Sequence, residues 1–334
     1  MKRYKCTVAY VGADYEGWQS QKNKRTVQEK IEEAISVITQ EKTNIVASGR
    51  TDAGVSAKGQ VFHFDTEREM PVRKWMYAIN GKLPKDIHIV DMEEAFETFH
   101  ARYCVKMKQY DYRIHLGQYD VFTKDIAYQC PYALDVEKMK EASKYFIGKH
   151  DFTSFNATSL EEKQDQVRTV KEISFSMEGD ILKITFLGKG FLRYMVRMMT
   201  GQLIEAGRGR ILPEEIKSMM DKKSKTASLK NAPPQGLTLQ KVSYFEIVAL
   251  SDQCMIREYL EDDEGYCDLP DHYVITTRNT QKPLGQMILD EEYAKIRVDD
   301  PVNHSMVEEL IPQIHKWMEY RHKQRDMIWE ESWK

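Results

Sequence analysis

The strongest constraint on this chain is a strand-helix-strand-strand periodicity that occurs twice. Lys5 to Val11 alternates around Cys6, Val8 and Tyr10, the period of a half-buried strand. Gly12 to Gly17 interrupts it as a loop. Thr26, with Glu29 three residues on, has the pattern of a capping box, and Val27, Ile31, Ala34, Ile35 and Ile38 then mark one helical face. Two apolar runs follow, Asn44-Ile45-Val46-Ala47-Ser48 and Gln60-Val61-Phe62-His63-Phe64. Pro71 opens a helix with Trp75, Ala78 and Ile79 on its apolar side, and Ile87, Ile89 and Met92 read as a strand. The second half repeats the plan more loosely. Gln109 to Leu116 is strongly β, with Tyr110, Tyr112 and Ile114 on one face. Val136 to Ile147 is helical. Val167 to Met177 and Ile181 to Leu187 read as paired strands turned at Glu178-Gly179-Asp180. Phe191 to Ala206 reads as a helix ended by Gly207, Pro213 starts a shorter helix, and Leu237 to Ile247 closes with a strand. Two such units, with helices on one face of a sheet, predict an α+β fold.

Between the two early apolar runs lies Gly49-Arg50-Thr51-Asp52-Ala53-Gly54. Strand-anchored loops are where binding and catalytic groups concentrate. The glycines allow unusual backbone conformations and close approach of a ligand. Asp52 is the only acid between Glu41 and Asp65, and it can serve as nucleophile, general base or electrostatic stabiliser. Arg50 presents a fork matched to phosphate. The plainer reading is a tight turn, with Asp52 capping a neighbouring N–H and Arg50 solvated. Trp18, after the first loop, packs beneath it or stacks on a base; packing is the commoner fate of such a residue. Tyr110 and Tyr112 form either a cross-strand aromatic ladder or a surface for a substrate base. Met195, Val196, Met198 and Met199 read as core, while Arg193 and Arg197, four apart, are expected to share a helical face.

Composition narrows the class. The chain has 334 residues, enough for about two domains. No run is long and apolar enough to span a membrane, and no apolar leader follows Met1. Five scattered cysteines (Cys6, Cys104, Cys130, Cys254 and Cys267) suggest neither a disulfide framework nor a zinc site. A cytoplasmic, reduced protein is the expectation. The net charge of −3 hides an asymmetry: Val248 to Lys334 holds 19 acidic and 10 basic residues, a net of −9, which leaves +6 for residues 1–247. A basic front portion suits an anionic partner such as RNA.

The Gly49-Arg50-Thr51-Asp52-Ala53-Gly54-Val55 stretch closely resembles the catalytic motif of the tRNA pseudouridine synthase A family. Other segments match that family in the same order. They are Tyr10 to Gln19, Thr26-Val27-Gln28-Glu29-Lys30, Phe99-His100-Ala101-Arg102, Tyr110-Asp111-Tyr112, Asp151 to Phe155, Met195-Val196-Arg197 and Pro234-Gln235-Gly236-Leu237. The resemblance covers residues 1–247 and lies in the ordered set rather than in any one motif.

The resemblance implies two pseudo-symmetric ferredoxin-like (RNP-type) halves, residues 1–105 and 106–247, around a central antiparallel sheet with a cleft between them. It implies isomerisation of uridine to pseudouridine on the 3′ side of the tRNA anticodon stem-loop, with no metal or cofactor, by a homodimer that touches one tRNA with both subunits. Asp52 is then the catalytic carboxylate. Arg197 is the cation that pairs with it, and such pairing is expected to lower its pKa. Tyr110 stacks on the uracil and assists loss of the C5 proton, and Arg50 helps hold the flipped nucleotide. Thr51, Lys58, His100, Arg102, Arg193 and Leu237 complete the expected substrate and RNA contacts. The competing expectation is a tRNA-binding module or RNA chaperone without catalysis.

Some positions depart from the family pattern. Gly54-Val55 is followed by Ser56 where the family continues with histidine, and Arg193-Tyr194 replaces a histidine-rich pair of some relatives. The largest departure is the acidic segment 248–334, which matches nothing in the family. Tyr273 to Thr277 and Gln286 to Leu289 read as strands flanking Pro283-Leu284-Gly285, and Val307 to Trp329 as a long helix. A small folded α/β appendage is expected, whose acidity argues against direct RNA contact; its role stays open between altered substrate choice or assembly and an interaction module for a protein partner. His304, His315 and His322 lack the close spacing of metal ligands.

Overall fold

The computed structural model describes residues 1–95, 99–161, 164–228 and 230–244, and beyond these five strands by their backbone course. The chain divides into two compact units, Met1–Tyr244 and Phe245–Lys334.

In the first unit the elements are β1 (Lys2–Tyr10), α1 (Val27–Thr39), β2 (Val46–Ala47), β3 (Ser56–Thr66), α2 (Val72–Asn80), β4 (Ile87–Ala95), β5 (Val105–His115), β6 (Tyr128–Gln129), α3 (Val136–Ser143), β7 (Gly148–Asp151), β8 (Val167–Glu178), β9 (Ile181–Gly188), α4 (Met195–Gly207), α5 (Glu215–Asp221) and β10 (Leu237–Tyr244). The strands form one mixed sheet in the order β4-β1-β3-β10-β5-β9-β8-β7, with β2 on β3 and β6 on β5. Pairing is antiparallel except for β10 with β3 and β5 with β6. The sheet is therefore large and mostly antiparallel in an α+β unit. Strand β10 comes last in this unit but sits at its centre, between β3 and β5.

Alternation explains the early strands. On β1 the residues Tyr4, Cys6, Val8 and Tyr10 are buried. On β4, Ile87, Ile89 and Met92 are buried, and the break in their period of two coincides with a register shift at Thr7/Val8 in the partner strand. The hairpin of β8 and β9 turns at Gly179, whose φ is +60°. Tyr4, Phe62, Phe64 and Trp75 form an aromatic core beneath one end of the sheet, and Phe146, Phe152 and Phe155 a second cluster near the other.

Local structure differs from the pattern at several points. At α1 the buried face is Val27, Ile31, Ala34 and Ile35, but the Thr26 side chain makes no cap bond, and its hydroxyl is buried with no partner among the described residues. The capping box is absent because Thr26 is drawn into the packing beside the first loop. Helix α4 begins at Met195, not Phe191, since Tyr194 adopts a left-handed conformation with φ 64°. Arg193 thus lies outside the helix and shares no helical face with Arg197. The run Asn44–Ser48 is reduced to the two-residue β2.

The second unit holds a five-stranded antiparallel meander: β11 (Ile247–Ala249), β12 (Cys254–Glu258), β13 (His272–Thr277), β14 (Pro283–Leu289) and β15 (Ala294–Val298). Pro283, Leu284 and Gly285 lie within β14 rather than before it. The helix expected over 307–329 and the three histidines His304, His315 and His322 lie outside the described residues.

Candidate active site

The loop between β2 and β3 is held by its neighbours through backbone contacts that leave little room. Trp18 N–H donates to the Thr51 carbonyl at 3.1 Å and Gly54 N–H to the Tyr15 carbonyl at 3.1 Å. Gly17, at φ +95°, brings its backbone so close that a Cβ would stand 2.9 Å from the Thr51 oxygen. The Thr51 hydroxyl pairs with the buried Tyr10 hydroxyl at 2.7 Å. The Ser56 hydroxyl accepts from Gly12 N–H at 3.0 Å. Trp18 is buried against Tyr10 and Phe62, so it braces the loop from below and offers no face to a base.

Asp52 projects from this clasped loop. Its Oδ2 lies 3.3 Å from Arg197 Nη1, and both side chains are largely buried, at 18% and 11% exposure. Arg197 also donates from Nε to the Ala232 carbonyl at 2.9 Å, which fixes the guanidinium plane. Tyr194 lies against the guanidinium, 5.0 Å from ring centre to carbon. The expectation of a lowered Asp52 pKa is overturned: it is raised, because burial penalises the carboxylate more than Arg197, and then Arg193, stabilise it. A carboxylate so placed is a stronger base and nucleophile than an exposed one.

Tyr110 is buried on β5, between Leu239 of β10 and Phe186 of β9 in the sheet register. Its ring meets Phe191 edge-on at 5.4 Å. Burial pushes its phenol well up, and Tyr10 and Asp52 add to that shift. Tyr112, two residues on along the strand, donates its hydroxyl to the Pro233 carbonyl at 2.8 Å.

The other expected residues divide by exposure. Arg50, Lys58, Arg102 and Arg193 are exposed. Arg193 also donates to the Ala157 carbonyl at 2.5 Å. Thr51 is buried by its bond to Tyr10, and Leu237 is buried opposite Tyr112. His100 is half-buried in a turn, where its Nδ1 accepts from Arg102 and Tyr103 N–H at 3.1 and 3.3 Å, and its ring stacks on Tyr103 at 4.2 Å. Burial and then the Arg3 charge lower its pKa. Sequence reasoning passed over Phe191, the Ala232 carbonyl and Lys108. Phe191 and Lys108 flank expected site residues closely in sequence; the Ala232 carbonyl, being backbone, leaves no sequence signal. Among the described residues no cluster of three metal-ligating side chains occurs, and no helix is long and apolar enough to cross a membrane.

Comparison with known proteins gives a consistent answer. The family described as tRNA pseudouridine synthase matches residues 7–104 and 142–245. The tRNA pseudouridine synthase A of Bacillus licheniformis is 45% identical over 245 residues, 72% of this chain and 99% of that protein. That of Bacillus subtilis gives the same figures, 45%, 72% and 99%. The enzyme of that name in Anoxybacillus flavithermus is 44% identical over 73% of this chain and 99% of its own length.

Proposed function

Because this chain belongs to the tRNA pseudouridine synthase family, whose members are isomerases, we propose that it converts uridine to pseudouridine in tRNA, on the 3′ side of the anticodon stem-loop, with Asp52 as its catalytic carboxylate. The observation that carries this reading is the largely buried Asp52–Arg197 pair at 3.3 Å on a clasped loop. In the reaction the bond from ribose C1′ to uracil N1 breaks, the uracil turns while bound, C5 bonds to C1′, and the C5 hydrogen is replaced by one on N1.

Each residue receives a role suited to its surroundings. Asp52, made more basic by burial, supplies the nucleophile or base for glycosidic cleavage, and Arg197 orients it. Tyr110 stacks on the uracil. Its phenol is held protonated by burial, which suits it to stacking and hydrogen bonding better than to taking the C5 proton itself. The target base must leave its stack, at a cost of a few kcal/mol. Arg50, Lys58, Arg102 and Arg193, all exposed, are assigned to phosphate contacts, which follow RNA shape rather than sequence. His100 fixes the turn that carries Arg102. Thr51 and Leu237 act from below, through the loop and the central strands.

We infer that residues 1–105 and 106–247 are the two pseudo-symmetric ferredoxin-like halves. The packing of α1 with α2 and of α3 with α4 supports that division. A cytoplasmic homodimer that grips one tRNA is the assembly the reading favours. Relatives are matched over 99% of their length by 245 residues, 72% of this chain, and for residues 248–334 we carry the reading of an interaction module for a protein partner. A chain ending at Ile247 with unchanged activity, dimerisation and partners would remove that role.

The deciding experiment is pseudouridine mapping of unmodified tRNA transcripts with the wild-type protein and Asp52→Asn. Product in the anticodon arm from the wild type alone is expected. Tight tRNA binding without product from either protein would favour the non-catalytic binding module.

A further inference from the structure

Lys108 lies on β5 two residues before Tyr110, outside the set of residues that the reaction uses. Its ammonium donates to the Ser48 carbonyl at 2.9 Å, immediately before the Asp52 loop. A Cβ on Gly49 would stand 2.6 Å from Nζ, so glycine is what lets the ammonium lie against the first peptide of that loop. The next carbonyl, that of Gly49, accepts from Gln60 Nε2 at 2.9 Å, and Gln60 Oε1 accepts from the Ser48 hydroxyl at 2.7 Å. Two successive peptides at the root of the loop are therefore pinned, one from β3 and one from β5. The pin from β5 spans β10, which separates β5 from β3 in the sheet.

Among the described residues the groups that touch this charge are themselves uncharged. Opposite Lys108 stand Val242 on β10 and Gly188 on β9. On the side of β2 and β3 it meets Ser48, Gly49 and Gln60. The phenol of Tyr244, near Ser48, is held protonated by burial. Among the described residues the charge that acts on Lys108 is that of Arg102, of the same sign, and burial together with Arg102 brings its pKa down to about 8. Among the described residues no carboxylate pairs with it, and holding a cation so costs stability, a cost met at functional positions.

We propose that Lys108 is a positioning residue: its charge, carried on the same strand as Tyr110, holds the root of the Asp52 loop so that Asp52 and Tyr110 keep one relative geometry through the reaction. A charge-assisted bond to a carbonyl is about twice as strong as a neutral one, which suits a link between strands that do not pair. The inference rests on the synthase reading of the site. Its sign with pH follows from the bond: the hold is present while Nζ is an ammonium and lapses as the pH rises through about 8.

The test measures single-turnover isomerisation at saturating enzyme, tRNA binding and thermal melting, from about pH 6 to 9. It compares the wild type, Lys108→Met, Lys108→Arg, Gly49→Ala and the Lys108→Met/Gly49→Ala double variant. Lys108→Met is expected to lose about tenfold or more in rate at neutral pH with tRNA affinity changed less than about twofold, since misplacing a reacting group costs rate and not ground-state binding. The wild-type rate falls above pH 8 toward that of Lys108→Met, while Lys108→Arg, whose charge does not titrate there, stays level. Gly49→Ala displaces the ammonium by contact and loses a similar factor, and the double variant is no slower than Lys108→Met. Should Lys108→Met fail to fold, Gly49→Ala and the wild-type pH profile decide. Unchanged rates in both Lys108→Met and Gly49→Ala would overturn the proposal. So would a loss confined to tRNA affinity, or multiplication of the two losses in the double variant. Absence of pseudouridine from the wild type would instead overturn the synthase reading, a separate outcome.

Discussion

Arg197 touches Asp52 with Nη1 at 3.3 Å while its Nε is committed to the Ala232 carbonyl at 2.9 Å. One planar group thus joins the β2–β3 loop, helix α4 and the segment that leads into β10. A lysine ammonium cannot hold both partners in that geometry. Arg197→Lys is therefore expected to bind tRNA normally and to lose on the order of tenfold to a hundredfold in single-turnover rate. Wild-type rates from this variant would remove the orienting role.

The raised pKa of Asp52 has a stability consequence whose sign is opposite to that of most acids in ion pairs. The folded state holds the Asp52 proton more tightly than the unfolded one. Stability from this group is therefore present below the unfolded value and is lost as pH rises through the folded one. Asp52→Asn mimics the neutral form, so it is expected to melt above the wild type at pH 7, with the gap closing as pH falls. In turnover, the wild type should lose activity on the acid side at a pH above that of an ordinary carboxylate. Calorimetry and a pH–rate profile check the two halves; an Asn variant that melts below the wild type at pH 7 contradicts the first.

His63 behaves in the other direction. Its pKa is lowered to about 4 by burial first and then by Arg3 and His100. Its Nδ1 accepts from Ala101 N–H at 3.2 Å, a bond that protonation at that nitrogen removes. The unfolded chain takes up a proton near pH 6.5 and the folded one near 4, so stability is full above 6.5 and falls as pH drops through that window. After discounting for solvent screening the loss is about 2 kcal/mol. His63→Gln, which still offers an acceptor, should flatten that part of the stability profile in urea titrations. An equally steep profile in the variant would place the acid sensitivity elsewhere.

Gly17 at φ +95° faces the Thr51 carbonyl. Gly17→Ala meets both backbone strain and a contact to rigid main chain, and is expected to cost about 1–3 kcal/mol and to slow turnover through the loop. Gly190→Ala, where an added Cβ meets nothing within 4 Å, should stay within about 0.5 kcal/mol of wild-type stability. Equal effects at the two positions would show that the first loop does not clasp the second.

Much of this architecture is legible in the sequence because it depends on local alternation. Cys6, Val8 and Tyr10 mark β1, and Glu178-Gly179-Asp180 marks the turn of β8 and β9, through side chains adjacent in the chain. What local patterns miss depends on distant neighbours. The left-handed Tyr194 shortens α4 and separates Arg193 from Arg197. The Thr26 and Glu29 spacing fits a capping box, yet packing beside the first loop leaves the hydroxyl without a bond. The Asp52 and Arg197 types are visible as a pairable acid and base, but the direction of the pKa shift is a balance between burial and attraction that only the three-dimensional surroundings decide. Lys108 finds its partner in the Ser48 carbonyl, 60 residues earlier in the chain, which no local pattern reveals.

The central position of β10 sets an order of events in the making of this protein. Strands β3 and β5 are both complete by His115, yet the sheet joins them only through a strand that begins at Leu237. The Ala232 carbonyl that aligns Arg197, and the Pro234 ring that lies against Gly54, arrive with that strand. A ribosome that has made the first two hundred residues has therefore made Asp52, Tyr110 and Arg197 but not the seam that brings them into register. Pairings between such distant segments form late in folding. The growing chain thus has no assembled Asp52–Arg197 cluster until residues 1–244 are nearly complete.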